Sequence, residues 1–115
     1  MLDKLFGGSG NRIQSVNVNE LAERLKDTAH PAVLIDVREV WEFTRGHARG
    51  AKNIPLGEVM RRIKEIPQDK DVYIICQSGN RSMTAARALL QSGLTRVFNV
   101  SGGTGMWMMH HLPLG

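Results

Sequence analysis

The stretch Val72-Tyr73-Ile74-Ile75-Cys76-Gln77-Ser78-Gly79-Asn80-Arg81-Ser82 decides how this chain folds. Its first four residues are β-branched or aromatic, with no polar interruption. Such a run wants both faces covered, the signature of a strand buried within a parallel sheet. It runs directly into Cys76, and a helical pattern opens at Ser82, with Ala85, Ala86, Leu89 and Leu90 on its inner side. Gly93 suits the left-handed residue that stops such a helix. Strand, short loop and helix thus follow one another. In α/β domains ligands sit beyond the carboxyl ends of the strands, so the loop at Cys76 is where chemistry is expected.

The same grammar repeats outward. Residues 32–37 form a second continuous apolar run, carrying Asp36 near its end. A short helical stretch over 40–45 is stopped at Gly46, and residues 51–54 read as a short strand before Pro55. Leu56, Val59, Met60 and Ile63 fall at helical spacing, with Gly57 where a helix start is expected. Residues 97–100 read as a further strand. Upstream, Asn17 followed three residues later by Glu20 is a capping-box pattern, opening a helix with Leu21, Ala22 and Leu25 on one face. Strands alternating with helices predict an α/β domain with a mainly parallel sheet. Gly7-Gly8-Ser9-Gly10 reads as a hinge. It divides a flexible head and hinge, residues 1–12, from a single domain, residues 13–115.

Composition narrows the function classes. A chain of 115 residues is one domain's worth and can bury a core without staples. The net charge of +4 suits an anionic substrate. The basic residues are spread along the chain, and the densest group, Arg61, Arg62 and Lys64, stands beside Glu58 and Glu65. With no nucleic-acid-binding motif, no nucleic-acid partner is expected. Nothing approaches the ~20 apolar residues of a membrane span. The first twelve residues lack the apolar run of a signal peptide, so a cytoplasmic protein is expected. One cysteine excludes an internal disulfide and a multi-cysteine metal site; neither metal nor cofactor is expected. His110-His111 reads as a surface turn, and Met106, Trp107, Met108 and Met109 as packing for a terminal helix.

A lone cysteine ending a buried strand is usually a small hydrophobe. The continuation after Cys76 reverses that prior. Gly79 opens backbone angles closed to other residues. A tight loop there can turn successive N–H groups inward as an anion nest. The following helix adds the positive end of its dipole, and Arg81 adds a fixed charge. All three favour thiolate over thiol.

The loop also resembles the active-site loop of the rhodanese family, and two further blocks carry the likeness. Asp36-Val37-Arg38-Glu39, Glu42-Phe43, Gly46-His47, Gly50-Ala51 and Asn53-Ile54-Pro55-Leu56 form one; Gly102-Gly103 with Trp107 forms the other. The resemblance implies a three-layer α/β/α fold around a mainly parallel five-stranded sheet. It implies a sulfurtransferase in which Cys76 is the catalytic nucleophile. Gln77, Ser78, Gly79, Asn80, Arg81 and Ser82 would then bind a small anionic sulfur donor such as thiosulfate. Cyanide or a thiol, including a protein thiol, would accept the sulfur. Arg81 would either bind the donor's sulfonate or brace the loop. Asp36 and Arg38 are expected to support the loop, with a plain helix N-cap as the alternative for Asp36. His47 is expected to be structural rather than a base. A carrier delivering persulfide sulfur to a protein partner, and a non-catalytic binding module, are the other readings. Phosphatase chemistry is disfavoured, because only four residues separate Cys76 from Arg81 where tyrosine phosphatases have five.

Overall fold

The computed structural model describes residues 12–115, so the head and hinge assigned to residues 1–12 lie, Arg12 apart, outside the described residues. Five strands form a single all-parallel sheet: β1 (Gln14–Val16), β2 (Ala32–Asp36), β3 (Lys52–Asn53), β4 (Asp71–Ile75) and β5 (Val97–Val100). Their order across the sheet is β1-β5-β4-β2-β3. The strand with the most uninterrupted apolar run, β4, lies at the centre, where both its faces are covered. Side chains alternate across it. Val72, Ile74 and Cys76 join one apolar cluster; Tyr73 and Ile75 join the other.

Helices seal each face. Helix α3 (Asn80–Gln91) sends Ala85, Ala86 and Leu89 into the first cluster. Helices α1 (Val18–Lys26) and α4 (Gly103–Met109) send Leu21, Ala22 and Trp107 into the second. A short helix, α2 (Val40–Thr44), follows β2. This is the three-layer α/β/α arrangement. The capping box at α1 is complete: Asn17 Oδ1 accepts from the Glu20 amide at 2.8 Å, and Glu20 Oε1 accepts from the Asn17 amide at 2.9 Å. Such a cap contributes about 1 kcal/mol.

Four details depart from the sequence reading. Helix α3 begins at Asn80 behind a left-handed Gly79 (φ 118°), so Ser82 lies within its first turn rather than opening it. The segment from Leu56 forms two 3-10 turns, Leu56–Glu58 and Ile63–Glu65, not an α-helix. Gly57 weakens helical propagation; only Val59 of the four spaced residues is fully buried, while Met60 is exposed. Strand β1 has three residues and buries only Val16, too little for a periodic signal. Of the four α4 residues assigned to packing, only Trp107 is buried, its Nε1 donating to Pro113 O at 2.8 Å. Met106, Met108 and Met109 are exposed, because a seven-residue helix offers one inner face and a large indole fills it.

Candidate active site

Cys76 follows the last residue of β4, and the backbone must turn sharply there to enter α3. Two glycines permit this. Gly79 takes a φ of 118°, reachable at little cost without a Cβ. Gly103, at φ 57°, lets α4 approach so closely that a methyl would strike the Cys76 and Gln77 carbonyls. Those carbonyls are held from that side: Thr104 N donates to Cys76 O at 2.8 Å and Gly105 N to Gln77 O at 3.1 Å. The closing Gly-Gly segment is therefore a clamp on the loop.

The Cys76 side chain is 1% exposed and packs among Ile35, Val37, Ala85 and Ala86. It is nonetheless met by polar groups. The Gly79 amide donates to Sγ at 3.1 Å, and Ser82 Oγ lies 3.3 Å away. Burial pushes the thiol pKa up. The Ser82 hydroxyl and the amides of Ser82, Gly79 and Ser78 pull it down, and their sum prevails, leaving the thiol more acidic than usual. Gln77, Ser78 and Asn80 are exposed around this buried sulfur, and Ser82 is fully buried beneath it.

Arg81 faces sideways. Its NH1 and NH2 donate to Glu42 Oε1 and Oε2 at 2.7 and 2.9 Å, a bidentate pair that ties α3 to α2. Hydrogen bonding from Arg81 holds the Glu42 carboxyl at about 2, despite opposing desolvation. The pair uses two of the five N–H donors of Arg81 and holds its guanidinium against α2. Glu42 as its partner was not assigned from sequence; a carboxylate 39 positions away carries no pairing signal.

Asp36 and Arg38 meet in a buried pair, 0% and 3% exposed. Arg38 NH2 donates to Asp36 Oδ2 at 2.8 Å and its backbone amide to Oδ1 at 2.9 Å. From that anchor, Arg38 NH1 reaches Gln77 Oε1 at 3.2 Å, and NH2 also reaches Gly46 O at 2.9 Å. The N-cap of α2 is Glu39, not Asp36. A groove of about 340 Å³ opens beside the loop between Arg38, Trp41, Arg45, Gln77 and Met108.

Behind the sulfur lies a group absent from the sequence reading. Asn99, 3% exposed on β5, accepts from the Ser82 hydroxyl at 2.6 Å. Only its place inside an apolar strand, Val97-Phe98-Asn99-Val100, marks it as unusual. His47 bonds Phe43 O through Nδ1 at 2.9 Å and stacks on the Phe43 ring, remote in role from the sulfur. His110 and His111 lie exposed in the turn after α4. Among the described residues no group of three or more His, Cys, Asp or Glu is placed to hold a metal, and no helix is long and apolar enough to cross a membrane.

Comparison with known proteins matches residues 17–110 to the rhodanese-like domain model. A protein of Allochromatium vinosum described as a sulfurtransferase is 37% identical over 89% of this chain and 94% of its own length. The Bacillus subtilis protein YqhL is 49% identical over 66% of this chain, and YrkF of the same organism, described as a putative sulfur carrier protein, 43% over 64%. The matched stretches span only 60% and 40% of those two proteins. Among solved structures, a rhodanese-related protein of Thermoplasma volcanium superposes with a TM-score of 0.80 at 33% identity, covering 89% of this chain and 97% of that one.

Proposed function

This chain belongs to the rhodanese-like domain family, and from that premise we propose that it is a sulfurtransferase that carries sulfane sulfur on Cys76. One observation carries the reading. A cysteine sulfur at the end of the central strand accepts from the Gly79 amide at 3.1 Å, with the Ser82 hydroxyl oxygen 3.3 Å away, and that amide favours an anionic sulfur.

The chemistry then takes two displacements. The Cys76 thiolate attacks the outer sulfur of thiosulfate or a related donor. A sulfur–sulfur bond forms as the bond to the sulfonate sulfur breaks, and sulfite leaves with the electron pair. The persulfide anion occupies the ring of loop amides from Gln77 to Ser82. An acceptor thiolate or cyanide next attacks the terminal sulfur, and Cys76 departs as thiolate. The lowered thiol pKa enlarges the thiolate share, and the thiolate, once formed, needs no general base.

Arg81 is assigned to bracing, because Glu42 occupies both arms of its guanidinium. Arg38 positions Gln77 from its buried anchor on Asp36. Gln77, Ser78 and Asn80, exposed on the loop, are the side chains that tune the donor. With one cysteine in the sequence, sulfur leaves to an external acceptor. We place this exchange in the cytoplasm.

Mass spectrometry after incubation with thiosulfate tests the reading. The expected result is a gain of one sulfur atom, reversed by reductant and absent in Cys76→Ser. No gain with thiosulfate or any other sulfane donor would overturn it. Delivery to a protein partner is the second reading, favoured by the likeness to YrkF of Bacillus subtilis, described as a putative sulfur carrier protein. It predicts slow turnover with small thiols and fast sulfur release to the partner.

A further inference from the structure

Three polar side chains, Ser82, Asn99 and Ser15, connect the buried sulfur to the edge of the sheet. Ser82 Oγ lies 3.3 Å from Cys76 Sγ; Asn99 Oδ1 lies 2.6 Å from Ser82 Oγ; Asn99 Nδ2 lies 3.3 Å from Ser15 Oγ. Ser82 and Asn99 are 0% and 3% exposed, and Ser15, the register partner of Asn99 on β1, is exposed. Nothing in the two displacements above requires Asn99, and an amide inside an apolar strand is costly unless its hydrogen bonds are met.

The donor count makes this chain directional. The Ser82 hydroxyl has one proton and two claimants, the sulfur and Asn99 Oδ1. A separation of 2.6 Å fits O–H···O and is short for N–H···O, so here the proton points at Asn99. That arrangement suits a thiol, which donates to Ser82 while Ser82 donates to Asn99 and Asn99 donates to Ser15. A thiolate or persulfide anion has no proton to give and needs the Ser82 proton instead. Asn99 Oδ1 is then left without a donor unless the amide turns over. After a half-turn its NH2 donates to Ser82 Oγ and its oxygen accepts from the Ser15 hydroxyl. Every partner is again satisfied, with the chain reversed.

We propose that Asn99 is a positioning residue whose amide turns over with the charge on Cys76, aiming the Ser82 hydroxyl at the sulfur when that sulfur is anionic. The inference deepens the sulfur-carrying reading and rests on it for its purpose. Other groups act on the sulfur too. Arg81 on α3 acts on it through charge alone, its guanidinium being paired with Glu42 of α2 and near Glu39. The Asp36–Arg38 pair stands on the β2 side. The residues brought by β5 and α4, Asn99 and Thr104, carry no charge. An amide can serve both states because it has a donor end and an acceptor end; a carboxylate cannot.

Nuclear magnetic resonance of the labelled chain tests this without any donor. The Asn99 side-chain NH2 signals are expected to shift with pH at the same midpoint as the Cys76 Cβ signal, and to stop doing so in Ser82→Ala. Signals that stay fixed while Cys76 titrates would overturn the proposal. A second readout is the pH profile of Cys76 alkylation. Asn99→Asp, whose carboxylate only accepts, is expected to raise the midpoint by about one unit, roughly tenfold less thiolate below it. An unchanged midpoint in a folded Asn99→Asp variant overturns the proposal as well. Both readouts remain measurable if no sulfur donor ever loads Cys76, so failure of the sulfur chemistry and failure of the relay are told apart.

Discussion

The two ends of the sheet are built on opposite electrostatic plans. At the amino ends of β2 and β4, Asp71 pairs with Arg96 at 2.9 Å and Asp27 with His30 at 2.9 Å, all partly or well exposed. Water screens such pairs, and they contribute little. At the carboxyl ends, Asp36, Arg38, Ser82 and Asn99 are each 3% exposed or less, yet all are hydrogen-bonded. Burial makes each of those bonds costly to lose. The lesson is that a buried polar cluster is what holds a reactive loop still, whereas a scatter of surface pairs only decorates a sheet end.

The severest way to break that comparison is Asp36→Ala. It strands a guanidinium that is 3% exposed, and removing one member of a buried pair costs about 3–5 kcal/mol. Denaturant unfolding should show a fall of that size. A fall below about 1 kcal/mol would mean that the carboxyl end is no more demanding than the amino end. Gly103→Ala comes next. Its methyl would meet the Cys76 and Gln77 carbonyls, and the strain should cost roughly 2–4 kcal/mol. Sulfur loading on Cys76 should drop with it, because the same contact seats the loop.

Glu42→Gln sharpens the comparison through pH. The Glu42 carboxyl titrates near 2 in the fold against an ordinary value of 4.5. A depressed carboxylate pKa contributes stability that is fully present above 4.5 and is lost as pH falls toward 2. Glu42→Gln should therefore flatten the acid limb of the stability curve between those values and lower the plateau above 4.5. An identical acid limb in both proteins would remove the Arg81 brace from the account. The smallest effect belongs to the amino end. Arg96→Ala should change stability by less than about 1 kcal/mol and leave Cys76 alkylation rates unaltered. A strong effect on alkylation there would show that the ends are coupled through β4.

Legibility followed the same division. The central strand, its cysteine and the helix beyond could be read because hydrophobic periodicity and glycine placement are local signals. So could the capping box at Asn17 and Glu20. The turns at Leu56–Glu58 and Ile63–Glu65 were misread as a helix, because four apolar residues at the right spacing say nothing about whether all four find a core. The methionines of α4 were misplaced for the same reason. Glu42 opposite Arg81 had no local sign, and for Asn99 behind Ser82 the one sign was an amide inside an apolar strand.

By itself the sequence determined an alternating α/β domain with its one cysteine at the end of a buried strand, because strand and helix periods and loop glycines act over a few residues. Only the tertiary structure decided which charges meet, that Arg81 is spent on Glu42, and that a serine and an asparagine from separate elements converge behind Cys76. Those contacts join residues 17 and 39 positions apart, and their strength comes from shared burial, which arises only once the sheet and its helices have closed.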